Sequence, residues 1–580
     1  MNTSDIIAER LIDWGVKVVF GLPGDGINGM MEALRKRSDK IKFVLVRHEE
    51  GAAFSAVGYA KFTGQLGVCL ATSGPGGIHL LNGLYDAHMD GVPVLAITGR
   101  TYSDLIGSGY QQDVDLLGPF SAVARFNQVV MNASHAQMAL DLACKSAIED
   151  RGVAHISIPI DIQEQEFSKN LVTEHKVVRS TSDKIPSVKV PNRDALEQAA
   201  SILNSGKKLV ILAGAGALGA GNEVLEIAHR LNAPIVKSLL GKGSVPDEDP
   251  HVLGGLGLLG TAPSEEAMEN ADTLLMIGTS FPFSDFLPKP GQAKAVQIDI
   301  RGDKIGTRYP VSVGLVGDSK ATLPLLTQLV NQNNDSSFLR DMQKKMVDWW
   351  TLMGKRGSRT DFPLKPQVVP WVLSDLLSDN AIICSDSGTV TTWAARYFKI
   401  RKERMFSLSG TLASMANGMS YAIGAQVAYP ERQVVTFVGD GSFAMLMCEF
   451  STAVKYNLPI KVIVVKNGAL GMIRWEQIGF LGHPEYGVRF QDIDLVKFAE
   501  ACGGAGYHIE KYEDVKTTLS KALQEKKATI VEVVVDPNEP PYPARLELKQ
   551  VENFTKALIR GEPDKKKIAL TLYRDKIKEL

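Results

Sequence analysis

The sequence predicts an α/β protein made of three doubly wound parallel-sheet domains, and three observations support this fold class. The 580 residues exceed what one hydrophobic core organises, so two to four domains are expected. Short β-branched runs alternate with helical patterns along most of the chain, which is typical of parallel sheets covered by helices. A polar stretch without periodicity and a charged helical connection divide this alternation into three blocks of comparable length.

The first block covers residues 1–168 and contains five predicted strands, each followed by a helical pattern. These strands are predicted at residues 16–20, 43–46, 68–71, 94–98 and 155–158. A polar stretch without periodicity, residues 169–189, follows the block and is interpreted as a linker.

The second and third blocks repeat the alternation. The second covers residues 190–330, with strands predicted at residues 209–213, 235–237, 273–277 and 295–300. After a charged helical connection, the third covers residues 365–538, with strands predicted at residues 381–384, 434–438, 461–465 and 530–535. A tail, residues 545–580, follows the third block. Three doubly wound domains and a tail are therefore the expected architecture.

Composition and charge narrow the class of protein. Lys and Arg number 64 and Asp and Glu 65, a formal charge of −1, so nothing indicates a nucleic-acid partner. The five cysteines are scattered and form no CxxC pair, which favours reduced thiols over a disulfide framework or a zinc site. The N-terminus does not resemble a secretory signal, and no apolar run is long enough to span a bilayer. A cytoplasmic protein is expected.

The strongest chemical signal is a turn in the third block. Gly439, Asp440, Gly441 and Ser442 follow a predicted strand, and Asn467 stands 27 positions after Asp440 at the end of the next strand. Both segments are expected at the carboxyl edge of a parallel sheet, where such folds bind ligands. A carboxylate and an amide oxygen suit Mg²⁺, and the N–H groups of Gly441 and Ser442 suit phosphate. Taken alone, such a turn is usually only structural, and the spacing to Asn467 is what favours a binding site.

This segment resembles the signature of thiamine diphosphate enzymes, GDG followed by about 25 to 30 residues and an Asn pair. The first Asn of the pair is Lys466 here. The resemblance implies three Mg²⁺ ligands: the side chains of Asp440 and Asn467 and the backbone carbonyl of Ala469.

A pair of glutamates in the first block fits the same family. Glu49 and Glu50 stand at the end of a predicted strand, where a helix begins. Adjacent residues point about 100° apart on a helix, so only one can face a cofactor. The resemblance selects Glu49 as the catalytic acid that sets the protonation of the thiamine aminopyrimidine ring. In isolation, two acids that complement a helix dipole are the simpler interpretation.

Further segments resemble the cofactor-binding turns of this family. Residues 72–77 resemble its SGPG segment, residues 385–389 its second diphosphate turn, and residues 414–418 the segment whose bulky residue bends thiamine. Met415 is the candidate for that bulky residue, and the alternative is that it only packs in the core. His79 and His88 are interpreted as structural histidines. The implied thiamine diphosphate contacts are Gly24, Ser73, Gly74, Gly388, Thr389, Ser414, Met415, Gly439, Gly441 and Ser442.

The second block carries Gly214, Gly216 and Gly219 in a GxGxxG pattern between a strand and a helix. No acid follows about 20 residues later, which disfavours NAD. The block resembles the FAD domain of pyruvate oxidases and acetohydroxyacid synthases, although a flavin-free domain kept for packing is the alternative. The FAD contacts that the resemblance implies are Gly214, Gly216, Gly257, Ser280, Phe281, Asp299 and Asp318.

Nearly the whole chain resembles quinone-linked pyruvate oxidases, within the acetohydroxyacid synthase-like superfamily. The resemblance implies oxidative decarboxylation of pyruvate to acetate or acetyl phosphate and CO₂, with electrons passed to a quinone or oxygen and Gln112 among the catalytic residues. Two features favour a carboligase that forms acetolactate from two 2-oxo acids: Gln111 replaces a family Phe, and residues 471–476 resemble acetohydroxyacid synthases. A catalytically silent binding protein is a third reading, which the intact Glu49, Asp440 and Asn467 disfavour.

The tail has eight basic and five acidic residues between positions 551 and 580, a net charge of +3, and a possible apolar stripe. Such a helix can lie on an anionic membrane, where a quinone is met, and a solvated or subunit-capping helix is the alternative. A cytoplasmic protein, peripheral at the inner face of the cell membrane, is thus expected. The resemblance implies a homodimer at minimum and often a homotetramer, with Glu49 of one protomer beside Asp440 of its partner.

Overall fold

The computed structural model describes residues 1–167, 188–541, 543 and 548–579. The linker predicted at residues 169–189 lies outside the described residues except for its last two. The described chain forms three six-stranded sheets with only parallel pairing, so the predicted fold class is confirmed.

The first sheet has the order β2-β1-β3-β4-β6-β5. Its strands are β1 Val18–Leu22, β2 Lys42–Leu45, β3 Gly67–Ala71, β4 Val94–Arg100, β5 Ala124–Val129 and β6 Val153–Pro159. The helices of this part are α1 Thr3–Asp13, α2 Asn28–Arg35, α3 Glu49–Thr63, α4 Pro75–His79, α5 Leu81–Asp90, α6 Leu117–Phe120, α7 Ala133–Glu149 and α8 Ile160–Glu164.

The second sheet has the order β12-β11-β10-β7-β8-β9. Its strands are β7 Leu209–Ala213, β8 Ile235–Lys237, β9 Val252–Gly255, β10 Thr273–Ile277, β11 Lys294–Asp299 and β12 Val313–Val316. The accompanying helices are α9 Arg193–Ser205, α10 Gly221–Leu231, α11 Ala262–Asn270, α12 Ser319–Leu329 and the connecting α13 Ser337–Gly357.

The third sheet has the order β14-β13-β15-β16-β18-β17. Its strands are β13 Ile382–Ser385, β14 Met405–Ser407, β15 Val434–Gly439, β16 Lys461–Lys466, β17 Ala505–Ile509 and β18 Thr529–Val534. The remaining helices are α14 Val368–Leu376, α15 Thr389–Tyr397, α16 Asn417–Ala428, α17 Asp440–Met445, α18 Glu449–Lys455, α19 Gly471–Trp475, α20 Leu495–Ala501, α21 Tyr512–Gln524, α22 Leu548–Ile559 and α23 Lys565–Glu579.

Five strands were absent from the sequence prediction, and each lies at the edge of a sheet: β5, β9, β12, β14 and β17. An edge strand has one neighbour and more exposure, so its sequence need not be a continuous apolar run. β12, for example, has one buried residue among four, whereas all five residues of the inner strand β3 are buried. Apolar runs therefore revealed the inner strands and missed most edges.

The first and third sheets are joined within the chain by the packing of α3 against α16. A Cβ on Gly58 would lie 2.6 Å from Tyr421 Cα, and one on Gly424 would lie 2.2 Å from the Ser55 carbonyl oxygen. Only glycine permits such backbone contact, so these two positions set the distance between the helices. The buried apolar residues of both domains form one continuous cluster around this contact.

The tail packs on the third domain. Ala557 of α22 and Ile568 of α23 are fully buried in a cluster with Trp475 and Ile478. Phe554 and Leu572 pack against this cluster, whereas Val551, Ile559 and Leu570 are exposed, Ile559 to 78%. None of the helices in the described residues is both long and apolar enough to cross a membrane.

Candidate active site

The candidate site begins at the carboxyl edge of the third sheet. β13 and β15 are neighbours, but the chain continues from them to opposite sides, to β14 and to β16. Such a topological switch point leaves a crevice in which open α/β sheets bind ligands. Gly388 and Thr389 follow β13 at this edge, and Gly439 ends β15 directly before Asp440.

Asp440 lies against the segment that carries Asn467. Its Oδ2 accepts a hydrogen bond of 2.8 Å from the Gly468 N–H, and Asn467 Oδ1 accepts one of 3.1 Å from the Ala469 N–H. Burial raises the pKa of Asp440, and hydrogen bonds from neighbouring backbone N–H groups oppose that rise. A buried carboxylate that is held by backbone hydrogen bonds is positioned to bind a cation.

The turn after β13 reaches the same place. A Cβ on Gly471 would lie 2.6 Å from Asn467 Nδ2 and 3.0 Å from Thr389 Cγ2, so these two side chains lie on either side of one glycine. Asp440, Asn467 and the Ala469 carbonyl are all hard oxygen donors, the chemistry that Mg²⁺ prefers. These residues therefore fit a Mg²⁺ ion that carries a diphosphate.

Lys466, the departure from the family pattern, points elsewhere. Its Nζ contacts Glu532 Oε2 at 2.9 Å and Asp492 Oδ1 at 2.5 Å. Successive residues of a strand face opposite sides, so Lys466 at the end of β16 and Asn467 after it diverge. The lysine thus replaces an amide without disturbing the candidate metal ligands.

Asp386 joins two of the predicted cofactor-binding segments, a role that sequence reasoning did not assign to it. Its buried carboxylate accepts hydrogen bonds from the backbone N–H groups of Ser387 at 2.7 Å, Ala416 at 3.1 Å and Gly418 at 3.0 Å. Burial raises the pKa of Asp386 to about 6, against the opposing effect of these donors. The turn after β13 and the segment before α16 are therefore held together by one side chain.

Open space and unmet polar atoms remain around this junction. Gly388 has φ +119°, and a Cβ there would meet no atom within 4 Å. Asn417 Oδ1 is buried and has no hydrogen-bond partner in the described part of the chain. Ser442 Oγ donates to the Ser387 carbonyl oxygen at 3.1 Å, which ties the turns after β13 and β15 together. The open space at Gly388 fits a phosphate group, whereas Asn417 Oδ1 is an acceptor and fits a hydrogen-bond donor.

Met415 lies in the segment clamped by Asp386. It is partly buried, and its neighbours Ala413 and Ala416 have φ of 54° and 75°, values that strain residues other than glycine. Ser414 Oγ accepts a hydrogen bond of 3.0 Å from Asn82 Nδ2 of the first domain. The strained backbone places Met415 at a fixed point, as a wedge under a cofactor requires.

Glu49 forms the second half of the candidate site. It is the first residue of α3 and is 6% exposed, and its Oε2 lies 2.9 Å from His79 Nδ1. The His79 ring stacks on His48, with ring centroids 4.5 Å apart. A Cβ on Gly76 would lie 3.1 Å from Glu49 Oε1, so the glycine leaves room beside that oxygen. His79, interpreted from the sequence as structural, thus contacts the candidate acid.

Gln112 lies beside the glycine turn after β3. Ser73 Oγ donates to Gln112 Oε1 at 2.6 Å, and Gln112 has φ 57°. A Cβ on Gly74 would lie 2.9 Å from the Gln112 Cβ. Gly24 also borders this turn, since a Cβ there would lie 2.6 Å from Thr72 Cβ. The structure therefore brings Gly24, Ser73, Gly74 and Gln112 together.

The two glutamates at the start of α3 have different partners. Glu50 Oε1 accepts a hydrogen bond of 2.6 Å from Asn82, whereas Glu49 contacts His79. Within the described residues, the side-chain partner of Glu49 lies in the first domain and the backbone donors to Asp440 lie in the third. One chain thus presents two half-sites.

The second domain has its own switch point, between β10 and β7. Gly214 and Gly216 follow β7, and a Cβ on either would lie within 2.6 Å of Gly278 after β10. These glycines let the two turns pack backbone against backbone. Asp299 ends β11, its Oδ1 accepts the Arg301 N–H at 2.9 Å, and burial raises its pKa.

The other predicted FAD contacts are distributed around this edge. Gly257 has φ +90°, and a Cβ there would lie 3.2 Å from the ring of buried Phe281, while the adjacent Ser280 is partly buried. Asp318 caps α12 by accepting the Ala321 N–H at 3.0 Å, which is a structural role. The switch point and Asp299 fit the adenosine half of a dinucleotide.

Comparison with known protein families covers all three domains. Residues 1–118 match the description "Thiamine pyrophosphate enzyme, N-terminal TPP binding domain". Residues 196–326 match the central domain of the same enzymes, and residues 386–533 match their C-terminal TPP binding domain. Together the matches span more than half of the chain.

Individual relatives align over nearly the full length. YdaP of Bacillus subtilis, whose name describes a protein containing thiamine pyrophosphate, is 40% identical over 574 residues, 99% of this chain and 98% of its own. Pyruvate oxidase of Lactiplantibacillus plantarum is 30% identical and covers 92% of this chain and 88% of its own. Acetolactate synthase isozyme 3 large subunit of Escherichia coli is 31% identical and covers 94% and 97%.

Proposed function

Because the chain belongs to the thiamine pyrophosphate enzymes, we propose that it decarboxylates pyruvate or a similar short 2-oxo acid with thiamine diphosphate and Mg²⁺. One observation carries this proposal: a buried glutamate beside a glycine turn stands in one domain, and a set of hard oxygen donors stands at a switch point in another. Thiamine diphosphate supplies, when bound, a carbon nucleophile that adds to a keto carbon and accepts the electron pair left by departing CO₂.

The third domain is the proposed anchor for the diphosphate. The side chains of Asp440 and Asn467 and the carbonyl of Ala469 would hold Mg²⁺. The turn at Gly388 would receive phosphate oxygens, because its missing side chain leaves space and helix α15 begins beside it, where the helix dipole favours an anion. Met415 would support the bent cofactor from the segment that Asp386 holds.

Glu49 is the proposed acid for cofactor activation. His79 contacts its Oε2, and Oε1, which lies beside Gly76, would bind the aminopyrimidine ring. That carboxyl would hold a proton beside the ring nitrogen and so set the protonation of the aminopyrimidine ring. Gln112 and Ser73 would orient the substrate, since their polar atoms meet at the same turn.

The finer proposal is an FAD-dependent pyruvate oxidase that releases acetate or acetyl phosphate and passes electrons to a quinone or oxygen. The pyruvate oxidase relative and the fit of Asp299 at the second switch point support it. FAD supplies, when bound, a two-electron acceptor. The absorption spectrum of the purified protein tests this part, because a bound flavin is yellow and is bleached by pyruvate in the absence of oxygen.

An acetolactate-forming carboligase is the second candidate. Acetolactate synthases align with this chain at 31% identity, against 30% for the pyruvate oxidase. One assay separates the two: purified protein receives pyruvate, thiamine diphosphate and Mg²⁺, and reduction of a dye or quinone is followed alongside acetolactate formation. Acetolactate without electron transfer would refute the oxidase. If neither acetolactate nor a reduced acceptor forms, the substrate is another 2-oxo acid or the protein is a catalytically silent relative.

Assembly and location follow as proposals from the two half-sites and the tail. A homodimer, or a homotetramer built from it, would complete each site if Glu49 of one protomer meets Asp440 of its partner. The net positive tail, with exposed Ile559 and Leu570, supports peripheral contact with the inner face of the cell membrane. Sedimentation gives the subunit count, and flotation with anionic vesicles tests the membrane contact.

A further inference from the structure

The outer edge of β2 is completed by side chains of another domain. β2 lies at the edge of the first sheet, where alternate N–H groups point away from its only neighbour, β1. The Leu45 N–H donates to Tyr456 Oη at 2.7 Å. The N–H groups of Arg47 and His48 both donate to Glu449 Oε1, at 2.9 and 3.0 Å. Residues around α18 of the third domain thus take the place of a neighbouring strand.

Glu449 is held firmly as the acceptor in this contact. It is fully buried, and its Oε2 accepts a hydrogen bond of 2.7 Å from Thr452 Oγ1. A Cβ on Gly51 would lie only 2.5 Å from Glu449 Oε1, so the third residue of α3 is a glycine where the carboxylate approaches. Burial raises the pKa of Glu449, and the three hydrogen bonds oppose that rise.

We propose that Glu449 is a positioning residue for Glu49. The carboxylate of Glu449 binds the two N–H groups that immediately precede Glu49, so the third domain sets where the acid of the first domain stands. Glu449 follows Asp440 by nine positions, so one segment carries both a candidate metal ligand and the support of the acid. This inference rests on the proposed role of Glu49 in cofactor activation.

The consequence is a loss of cofactor activation when the support is removed. A displacement of about 1 Å at a reacting group costs up to about a hundredfold in rate. Glu449→Ala should therefore slow hydrogen–deuterium exchange at C2 of bound thiamine diphosphate by about tenfold to a hundredfold. Affinity for thiamine diphosphate and Mg²⁺, followed by tryptophan fluorescence, should change less than about threefold, because the Asp440 half-site keeps its contacts.

Three variants accompany Glu449→Ala in the test. Glu449→Gln should restore exchange to within about threefold of wild type, since its amide oxygen accepts the same two N–H groups and its NH₂ donates to Thr452 Oγ1. Tyr456→Phe is the matched control, because it removes a hydrogen bond from the same edge four residues before Glu49 and should leave exchange unchanged. Gly51→Ala should slow exchange as Glu449→Ala does, since the new Cβ displaces the carboxylate, and it serves if Glu449→Ala fails to fold.

The outcomes separate this inference from the proposed function. Exchange at the wild-type rate in both Glu449→Ala and Gly51→Ala, while Glu49→Gln abolishes it, would overturn the positioning role alone. Equal losses in Tyr456→Phe and Glu449→Ala would overturn it as well, because they indicate general loosening of the edge. Wild-type exchange in Glu49→Gln would instead refute the role of Glu49.

Discussion

Asp386 offers a sharp test of the electrostatics, because it is a buried acid that accepts three backbone N–H groups. Burial raises its pKa from 3.8 to about 6. The folded state therefore binds a proton more tightly than the unfolded state, so the stabilising effect is complete below pH 3.8 and is lost as pH rises through about 6. The shift corresponds to about 3 kcal/mol at neutral pH.

Asp386→Asn removes that pH dependence but retains only one acceptor oxygen. The Gly418 N–H, which contacts Oδ2, then faces an NH₂ group, which costs about 1–3 kcal/mol. We expect the variant to unfold more easily than wild type at pH 4.5. From pH 4.5 to pH 8 the unfolding free energy of wild type should fall by about 2 kcal/mol relative to that of the variant.

Urea unfolding at the two pH values, followed by tryptophan fluorescence, measures the change. Asp335→Asn is the control, because the Ser337 N–H lowers the pKa of that exposed carboxyl below 3.8. The carboxyl is therefore ionised in the folded and the unfolded state throughout this range, and the stability difference between wild type and Asp335→Asn should stay nearly constant from pH 4.5 to pH 8. A stability difference for Asp386→Asn that stays constant from pH 4.5 to pH 8 would refute the reasoning.

Three further predictions concern the two half-sites. Glu49→Gln should lower turnover by about 10²- to 10⁴-fold while fluorescence titration still detects cofactor binding; unchanged turnover would contradict its role. Asp440→Ala should abolish binding of thiamine diphosphate with Mg²⁺ by calorimetry, and in wild type EDTA should remove activity that Mg²⁺ restores. Lys466→Asn, which recreates the family pair, should lower the unfolding free energy by about 1–3 kcal/mol because the buried Glu532 carboxylate loses a charged hydrogen-bond donor, with no gain in Mg²⁺ affinity.

Local patterns in the sequence were sufficient for the inner strands and the turns. Strands buried on both faces must be continuous apolar runs, and β7, β8 and β10 were located without error. The edge strands escaped because partial exposure removes that requirement. The proximity of Asp440 and Asn467 could be predicted for a similar reason. Parallel strands end at the same edge, so two turn motifs that follow neighbouring strands lie close together.

Side-chain partners, in contrast, followed from the packing of distant segments. The sequence offered no sign that Asp386 binds residues 30 positions away, or that Glu449 supports a turn 402 positions earlier. His79 was interpreted as structural and lies against Glu49. Motif residues are recognisable because the backbone near them imposes their type, whereas a buried carboxylate needs donors from any part of the chain, and only the packed domains decide which donors reach it.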